Sequence, residues 1–228
     1  MLETISVIIP AYNAARTLRE TLDSVRAQTS PVHDIIVVDD GSTDNTASLA
    51  QSFAGVTMVR QSNAGPAAAV NAGLQIAQGA YIGVLDADDL WLPDSVACHL
   101  QQLQAQPHLD VSLGWVTEFI CPSMSAADAA SFRPRADQAA WLAGASLIKR
   151  EAFERVGRYD PAAKGYGWID WVDRARSAGI QFGMGREIVL KRRLHKGSLS
   201  TSTGTKGGQG ILSAVRLALA RRRQGESP

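Results

Sequence analysis

Tyr81-Ile82-Gly83-Val84-Leu85-Asp86-Ala87-Asp88-Asp89 is an apolar run that ends abruptly in three carboxylates. Such a run needs burial in a strand, whereas clustered carboxylates need water, a cation or a hydrogen-bonded partner. The chain must therefore leave the core between Leu85 and Asp88. Oxygen ligands on a short turn suit Mg²⁺ or Mn²⁺, which completes its shell with substrate phosphates. The alternative is an acidic turn that caps the next helix, because residues 89–94 have helix-start chemistry.

Outward from this stretch, strand-like and helix-like runs alternate. Strands are predicted at 5–10, 34–40, 56–60, 81–85, 111–120, 141–148 and 188–195. Helices are predicted at 13–27, 45–53, 67–78, 95–106, 150–156 and 166–178. This alternation predicts an α/β fold with a mainly parallel sheet that helices cover on both faces.

Polar residues follow the apolar strands at four places, namely Ala11-Tyr12-Asn13, Asp39-Asp40, Asn63 and Asp86-Ala87-Asp88. In open α/β sheets, ligands bind beyond the carboxyl ends of the strands. We therefore expect a nucleotide and metal site at this edge. Turns and helix caps would explain the residue types, but they would not explain why acids cluster there.

Composition narrows the class of protein. The formal net charge of +1 gives no electrostatic reason to expect a nucleic-acid partner. Cys98 and Cys121 lack metal-ligand spacing, which favours reduced thiols in a cytoplasmic protein. Neither a signal peptide nor a run of roughly 20 apolar residues is visible, so a secreted or integral membrane protein is not expected.

An ordered set of motifs resembles the inverting glycosyltransferases of family 2, which have the GT-A fold. The motifs lie at residues 9–13, 38–46, 63–73, 79–89, 144–150 and 193–195. The resemblance implies a Rossmann-like, mainly parallel sheet flanked by helices in one domain, residues 1–203. Within that domain, 1–106 would be the nucleotide-sugar-binding half and 107–203 the acceptor half. Residues 204–228 are predicted as a mobile loop and a basic helix.

The resemblance also implies an activity, which is metal-assisted transfer of a sugar, with inversion, from a nucleotide sugar to an acceptor hydroxyl. A UDP-sugar is the expected donor, and Asp88 and His195 are the expected ligands of Mn²⁺ or Mg²⁺. The donor contacts implied by the resemblance are Pro10, Tyr12, Asn13, Asp40, Gly65, Asn71, Asp86 and Arg193.

The catalytic base is where this chain departs from the family. An acidic pair is expected at the start of the helix predicted at 166–178, but one alignment places it on Gly167 and Trp168, which cannot accept a proton. A second alignment places its Asp on Asp170, which we predict to be the base, with Asp173 in reserve. The alternative is a catalytically weak or inactive nucleotide-sugar-binding module. A nucleotidyltransferase would need a basic glycine-rich loop after the first strand, and residues 11–15 do not provide one.

The sequence leaves the acceptor open among a glycan, a lipid-linked acceptor, a small molecule and a peptide. Trp168 and Trp171 would form either an aromatic platform for it or part of the core, and Trp91 and Trp141 carry the same ambiguity. The basic helix predicted at 211–224 either contacts an anionic membrane as a peripheral anchor or packs on the domain. A homodimer is also left open.

Overall fold

The computed structural model describes residues 3–196 of the chain. Strands and helices alternate from Ile5 to Ala105, and longer strands dominate the remainder. The strands are β1 Ile5–Ala11, β2 Asp34–Asp39, β3 Val56–Arg60, β4 Tyr81–Val84, β5 Leu90–Trp91, β6 Val111–Ile120, β7 Gln138–Ala139, β8 Ser146–Lys149 and β9 Phe182–Leu194. The α-helices are α1 Leu18–Arg26, α2 Thr46–Ser52, α3 Pro66–Ile76, α4 Ser95–Ala105, α5 Ala126–Ala129, α6 Arg150–Val156 and α7 Gly167–Ser177. Two 3₁₀ helices lie at Ala143–Ala145 and Pro161–Tyr166.

Within residues 3–196, one sheet runs in the order β3-β2-β1-β4-β8-β6-β9-β5, and β7 pairs with β6. Strands β3, β2, β1 and β4 are mutually parallel, as the strand and helix alternation predicts. Strand β8 is antiparallel to both β4 and β6, while β6 and β9 are parallel. The predicted α/β fold class is confirmed, and the sheet continues across residue 106. The proposed boundaries at 106 and 203 remain predictions.

Apolar side chains lie on both faces of this sheet, where helices cover its central strands. In β1, Val7 and Ile9 belong to the cluster packed with α1 and α4, whereas Ile8 belongs to the cluster packed with α3 and α7. A Cβ at Gly73 would lie 2.5 Å from Ile8 Cγ2, so only glycine lets α3 approach β1 this closely. The residues that lead into α3 lie beside the carboxyl end of β2, since the Ala64 and Gly65 N–H groups donate to Asp40.

Several predicted boundaries were wrong, each for a tertiary reason. The first helix starts at Leu18 rather than 13, because Asn13 is left-handed (φ 51°) and its backbone N–H donates to Ser42 Oγ. The strand predicted at 141–148 starts at Ser146. The last strand starts at Phe182 rather than 188, since β6 pairs with it from Val111 onward. Residues 89–94 include a strand, β5, that pairs with β9.

Two of the four ambiguous tryptophans belong to the core. Trp171 is fully buried, and Trp91 lies against Gly83 and donates from Nε1 to the Gly144 carbonyl at 2.7 Å. Trp168 is half-buried and Trp141 is exposed. No helix within residues 3–196 has the length and apolar content to cross a membrane. The mobile loop and basic helix predicted within 204–228 lie outside the described residues.

Candidate functional site

Three carboxylates gather on the turn that follows β4. One oxygen from each of Asp86, Asp88 and Asp89 lies within 4.8 Å of the others. Desolvation by the surrounding protein and the charge of Asp88 raise the pKa of Asp86 to about 6, while the charge of Arg192 opposes this. Burial raises the pKa of Asp89 as well, and the charges of Asp88 and Asp86 add to that effect. Clustered anions of this kind are stabilised by a cation.

The end of β9 brings an imidazole to the same turn. His195 Nε2 lies 2.8 Å from Asp88 Oδ2, although the two residues are 107 positions apart in the chain. This hydrogen bond is the main reason that the pKa of His195 is raised. The structure therefore brings together the two residues that were predicted as metal ligands.

This donor set fits a divalent cation of the predicted kind. Carboxylate oxygens suit Mg²⁺ and Mn²⁺, and an imidazole nitrogen is better tolerated by Mn²⁺. Asp88 and His195 would hold such an ion, with Asp86 beside them on the open side of the turn. Asp89 is buried, and its Oδ1 accepts from the Arg193 backbone N–H at 2.8 Å.

A second carboxylate, Asp40, organises the loop before α3. Its Oδ1 accepts from Gln61 Nε2 at 2.7 Å and from the Ala64 N–H at 2.9 Å, while its Oδ2 accepts from the Gly65 N–H at 2.9 Å. Gly65 has φ 89°, a left-handed conformation that favours glycine. The predicted donor contacts Asp40 and Gly65 thus lie together.

The loop after β1 presents the other predicted donor contacts at this edge. Tyr12 is 53% exposed, which leaves its ring free to stack on a planar ligand. Pro10 is half-buried behind it. Asn13 Oδ1 accepts from the Thr43 N–H at 2.9 Å, so Asn13 fixes the loop after β1 against the loop after β2.

Comparison with known proteins shows the family to which the chain belongs. Residues 6–128, more than half of the 228, match the model of glycosyl transferase family 2. The chain belongs to this glycosyl transferase family.

Named relatives of this family 2 member come from several bacteria. It is 38% identical over 119 residues to glycosyltransferase GlyG of Streptococcus pneumoniae, and the aligned region covers 50% of this chain and 39% of that protein. It is 29% identical over 205 residues to an uncharacterized glycosyltransferase of Rickettsia prowazekii, and this aligned region covers 84% of this chain and 64% of the relative. In both cases the chain spans less than two thirds of the relative's length.

A solved structure shows the same fold. S. aureus TarS 1–349, crystallised in complex with UDP-GlcNAc, superposes with a TM-score of 0.73 at 16% identity, over 95% of this chain and 66% of that chain. The predicted GT-A architecture of this family 2 member is thereby confirmed.

The first turn of α7 is closely packed at Gly167, one of the two positions on which the first alignment places the expected acidic pair. A Cβ at Gly167 would lie 3.0 Å from both Ala67 Cβ and Tyr159 Cδ2, so a side chain there would push α7 away from α3. Asp170 follows on the same turn and is 2% exposed. Its Oδ2 accepts from Arg174 Nε at 3.0 Å. The candidate base is therefore near the start of α7 and is held by an arginine.

Two predicted donor contacts form hydrogen bonds within the protein, and their contact with the donor stays a prediction. Asn71 Nδ2 donates to the Tyr159 carbonyl at 2.8 Å, and Asn71 Oδ1 accepts from the Tyr159 N–H at 3.0 Å. This pair ties α3 to the segment before α7. Arg193 is 2% exposed, and its guanidinium points into the protein beneath the carboxylate turn.

Sequence reasoning missed the neighbouring Arg192. The charge of Arg192 opposes the rise in the pKa of both Asp86 and Asp89, so this arginine acts electrostatically on the carboxylate cluster. Its Nη1 lies 3.3 Å from Oε1 of the buried Glu118. Alternation along a strand predicts that residues 192 and 193 point to opposite sides, but it does not tell which side faces the cluster.

Proposed function

We propose that this family 2 member is a glycosyltransferase that moves a sugar from a UDP-sugar to an acceptor hydroxyl, with inversion and with Mn²⁺ or Mg²⁺. The observation that carries this proposal is the meeting of Asp86, Asp88 and His195 at the sheet edge where Asp40 and Tyr12 also lie. A nucleoside diphosphate has two matching parts, since its phosphates bind a cation and its base can stack and form hydrogen bonds.

The Asp40 carboxylate supports uracil as the base. A carboxylate offers about four lone-pair positions, and three of those on Asp40 are occupied by Gln61, Ala64 and Gly65. The remaining position, on Oδ2, matches a single N–H donor such as uracil N3–H. The exposed Tyr12 ring would stack on the base, with Pro10, Asn13 and Gly65 around it.

Transfer of the sugar breaks the bond between its anomeric carbon and the diphosphate, so negative charge develops on the leaving phosphate. When bound to Asp88 and His195, the divalent cation supplies electrostatic stabilisation to the leaving group. Arg192 adds a fixed positive charge that already acts on Asp86 and Asp89. Asp86 is exposed beside them and would orient the donor.

The acceptor hydroxyl requires a base on the face of the sugar opposite the diphosphate. Asp170 is proposed for this role, with Asp173 as the reserve. In the structure, Asp170 accepts from Arg174, so catalysis requires its carboxylate to turn toward the acceptor hydroxyl and take its proton. A single displacement then inverts the anomeric carbon.

One observation favours a second candidate function, a nucleotide-sugar-binding module without turnover. Gly167 cannot carry the expected acid without a clash, and Asp170 is buried in an ion pair with Arg174. Such a module would bind UDP with the cation but would never release UDP from a UDP-sugar.

Calorimetric titration of UDP with and without Mn²⁺ tests the proposal, followed by UDP release from a panel of UDP-sugars. We expect Mn²⁺-dependent binding that Asp88→Ala removes. We also expect UDP release that Asp170→Asn lowers about 100-fold or more without weakening UDP binding. Asp110→Asn, at the distant start of β6, serves as the control. Binding without turnover would establish the second candidate, and absence of UDP binding would contradict the donor assignment.

The cellular setting is also a proposal. We propose a cytoplasmic enzyme whose acceptor is a glycan, a lipid-linked molecule, a small molecule or a peptide. Contact with the inner face of a membrane through residues 211–223, and a homodimer, are further proposals that rest on the sequence alone.

A further inference from the structure

Arg193 is buried directly beneath the carboxylate turn. Its backbone N–H donates to Asp89 Oδ1 at 2.8 Å, and its Nε donates to the Asp88 carbonyl at 2.8 Å. The same residue thus holds both the main chain at one proposed metal ligand and the side chain of the neighbouring acid.

The rest of the guanidinium connects this turn to two other elements. Arg193 Nη2 donates to Glu20 Oε2 on α1 at 2.7 Å, and Nη1 contacts Cys121 Sγ, just after β6, at 3.8 Å. The guanidinium carbon lies 4.7 Å from the centroid of the Phe119 ring. Arg193 is therefore fixed on several sides while it donates to the turn.

Helix α1 binds the same segment with a row of hydroxyl groups. Thr17 Oγ1 donates to the Ala87 carbonyl at 2.8 Å, and Thr21 Oγ1 donates to the Asp89 carbonyl at 2.9 Å. Thr17, Glu20 and Thr21 are three and four residues apart, so they share one face of the helix. That face therefore holds the turn at Ala87 and Asp89.

We propose that Arg193 is a positioning residue, anchored by Glu20, that sets the geometry of the Asp86-to-Asp89 turn for the divalent cation. This inference rests on the proposed function, since it concerns the same metal site. A buried arginine is costly unless each of its donors is satisfied, and apolar residues of similar size often stabilise a core as well. Here its donors reach the turn and the elements that hold the turn, which is the arrangement by which outer residues orient metal ligands.

Mn²⁺ affinity in the presence of UDP, measured on the full chain by electron paramagnetic resonance of free Mn²⁺, tests the role. Glu20 is the sharper site for substitution because its side chain is 58% exposed and its loss leaves no cavity. We expect Glu20→Ala to weaken Mn²⁺ binding about 10-fold and Arg193→Lys about 10- to 100-fold. UDP binding without metal should stay unchanged in Glu20→Ala, because Asp40 and Tyr12 lie outside this network.

Asp23→Ala is the matched control, because Asp23 is an exposed acid on the same helix, one turn from Glu20. Mn²⁺ affinity of Glu20→Ala equal to that of the wild type would overturn the inference. An equal loss of Mn²⁺ affinity in Asp23→Ala would also overturn it, because the effect would then come from the net charge of the helix. A wild-type chain that binds UDP but no Mn²⁺ would instead contradict the metal dependence of the proposed function.

Discussion

The role of each polar side chain at the end of β9 depends on the face of the strand from which it projects. Arg192 and Arg193 are adjacent on β9, yet the charge of one acts on the open carboxylate cluster while the other is buried beneath it. His195 lies two residues further on and reaches Asp88. Three polar residues within four positions at the end of one strand therefore serve three different purposes.

A buried histidine away from the site predicts a pH dependence of stability. His99 on α4 is 2% exposed, its Nδ1 lies 2.7 Å from Ser112 Oγ, and its Nε2 has no hydrogen-bond partner within residues 3–196. Burial lowers the pKa of His99 to about 4. Below pH ~6.5 this histidine is protonated in the unfolded chain but stays neutral in the folded chain until the pH approaches 4. The contribution of His99 to the free energy of unfolding is therefore fully present above pH ~6.5 and is lost as the pH falls toward 4.

From pH 7 to pH 5, His99 alone should lower the free energy of unfolding by about 2 kcal/mol. Urea unfolding of the wild type and of His99→Gln at both pH values measures this share as the difference between their pH dependences. His108→Gln, at an exposed position, should keep the wild-type dependence. Identical pH dependence in the wild type and His99→Gln would contradict the prediction.

At the scale of elements, close approaches between helices and strands decide which positions can carry function. Helix α7 begins against α3 and Tyr159, and a Cβ at Gly167 would lie 3.0 Å from both Ala67 Cβ and Tyr159 Cδ2, so the neighbours would have to move to accept a side chain there. The first acid that α7 presents is therefore Asp170, three residues further on in the same first turn. In the same way, α1 presents Thr17, Glu20 and Thr21 to the turn after β4 because its other face packs on the sheet.

Gly167→Ala tests the packing of α7. Alanine favours a helix over glycine by up to about 1 kcal/mol. The added Cβ would nevertheless meet Ala67 and Tyr159 at 3.0 Å. We expect a net loss of about 1–2 kcal/mol in the free energy of unfolding, measured by urea titration. Ser177→Ala, at the exposed end of the same helix, should change stability by less than about 0.5 kcal/mol. A Gly167→Ala protein as stable as the wild type would show that α7 can shift without cost.

At the scale of the whole molecule, the site is made by joining the two halves of the chain. The carboxylate turn follows β4 in the first half, whereas His195 ends β9 in the second half. Pairing of β9 with β6, of β6 with β8 and of β8 with β4 builds the sheet that connects them. A cation held by Asp88 and His195 would therefore link the two halves.

Such a link predicts that Mn²⁺ with UDP stabilises the whole fold. At a ligand concentration 100 times the Kd, the stabilisation is about 2.7 kcal/mol. For a domain of this size that corresponds to a rise in Tm of about 5–10 °C, measured by calorimetry. EDTA should reverse the rise, His195→Ala should reduce it, and Asp110→Asn should retain it. A Tm that does not respond to Mn²⁺ and UDP would contradict a metal that joins the halves.

The sequence by itself determined the local features of this protein. Apolar runs such as Ile5–Ala11 and their alternation with helical runs predicted the α/β sheet, and the ordered motifs predicted the family. The residues proposed to contact the nucleotide were chosen because most of them directly follow those strands along the chain. These inferences depend on short-range periodicity and on the rule that ligands bind at the carboxyl ends of parallel strands.

Only the tertiary structure decided which way particular side chains point. Burial of Arg193, the Tyr159 contacts of Asn71 and the approach of Ala67 to Gly167 all depend on neighbours more than 60 residues away in the chain. The same holds for the meeting of His195 with Asp88. Sequence periodicity specifies that neighbouring side chains of a strand point to opposite faces of the sheet. Long-range packing decides which of the two faces meets the core, and for this reason Arg193 is buried whereas Arg192 is not.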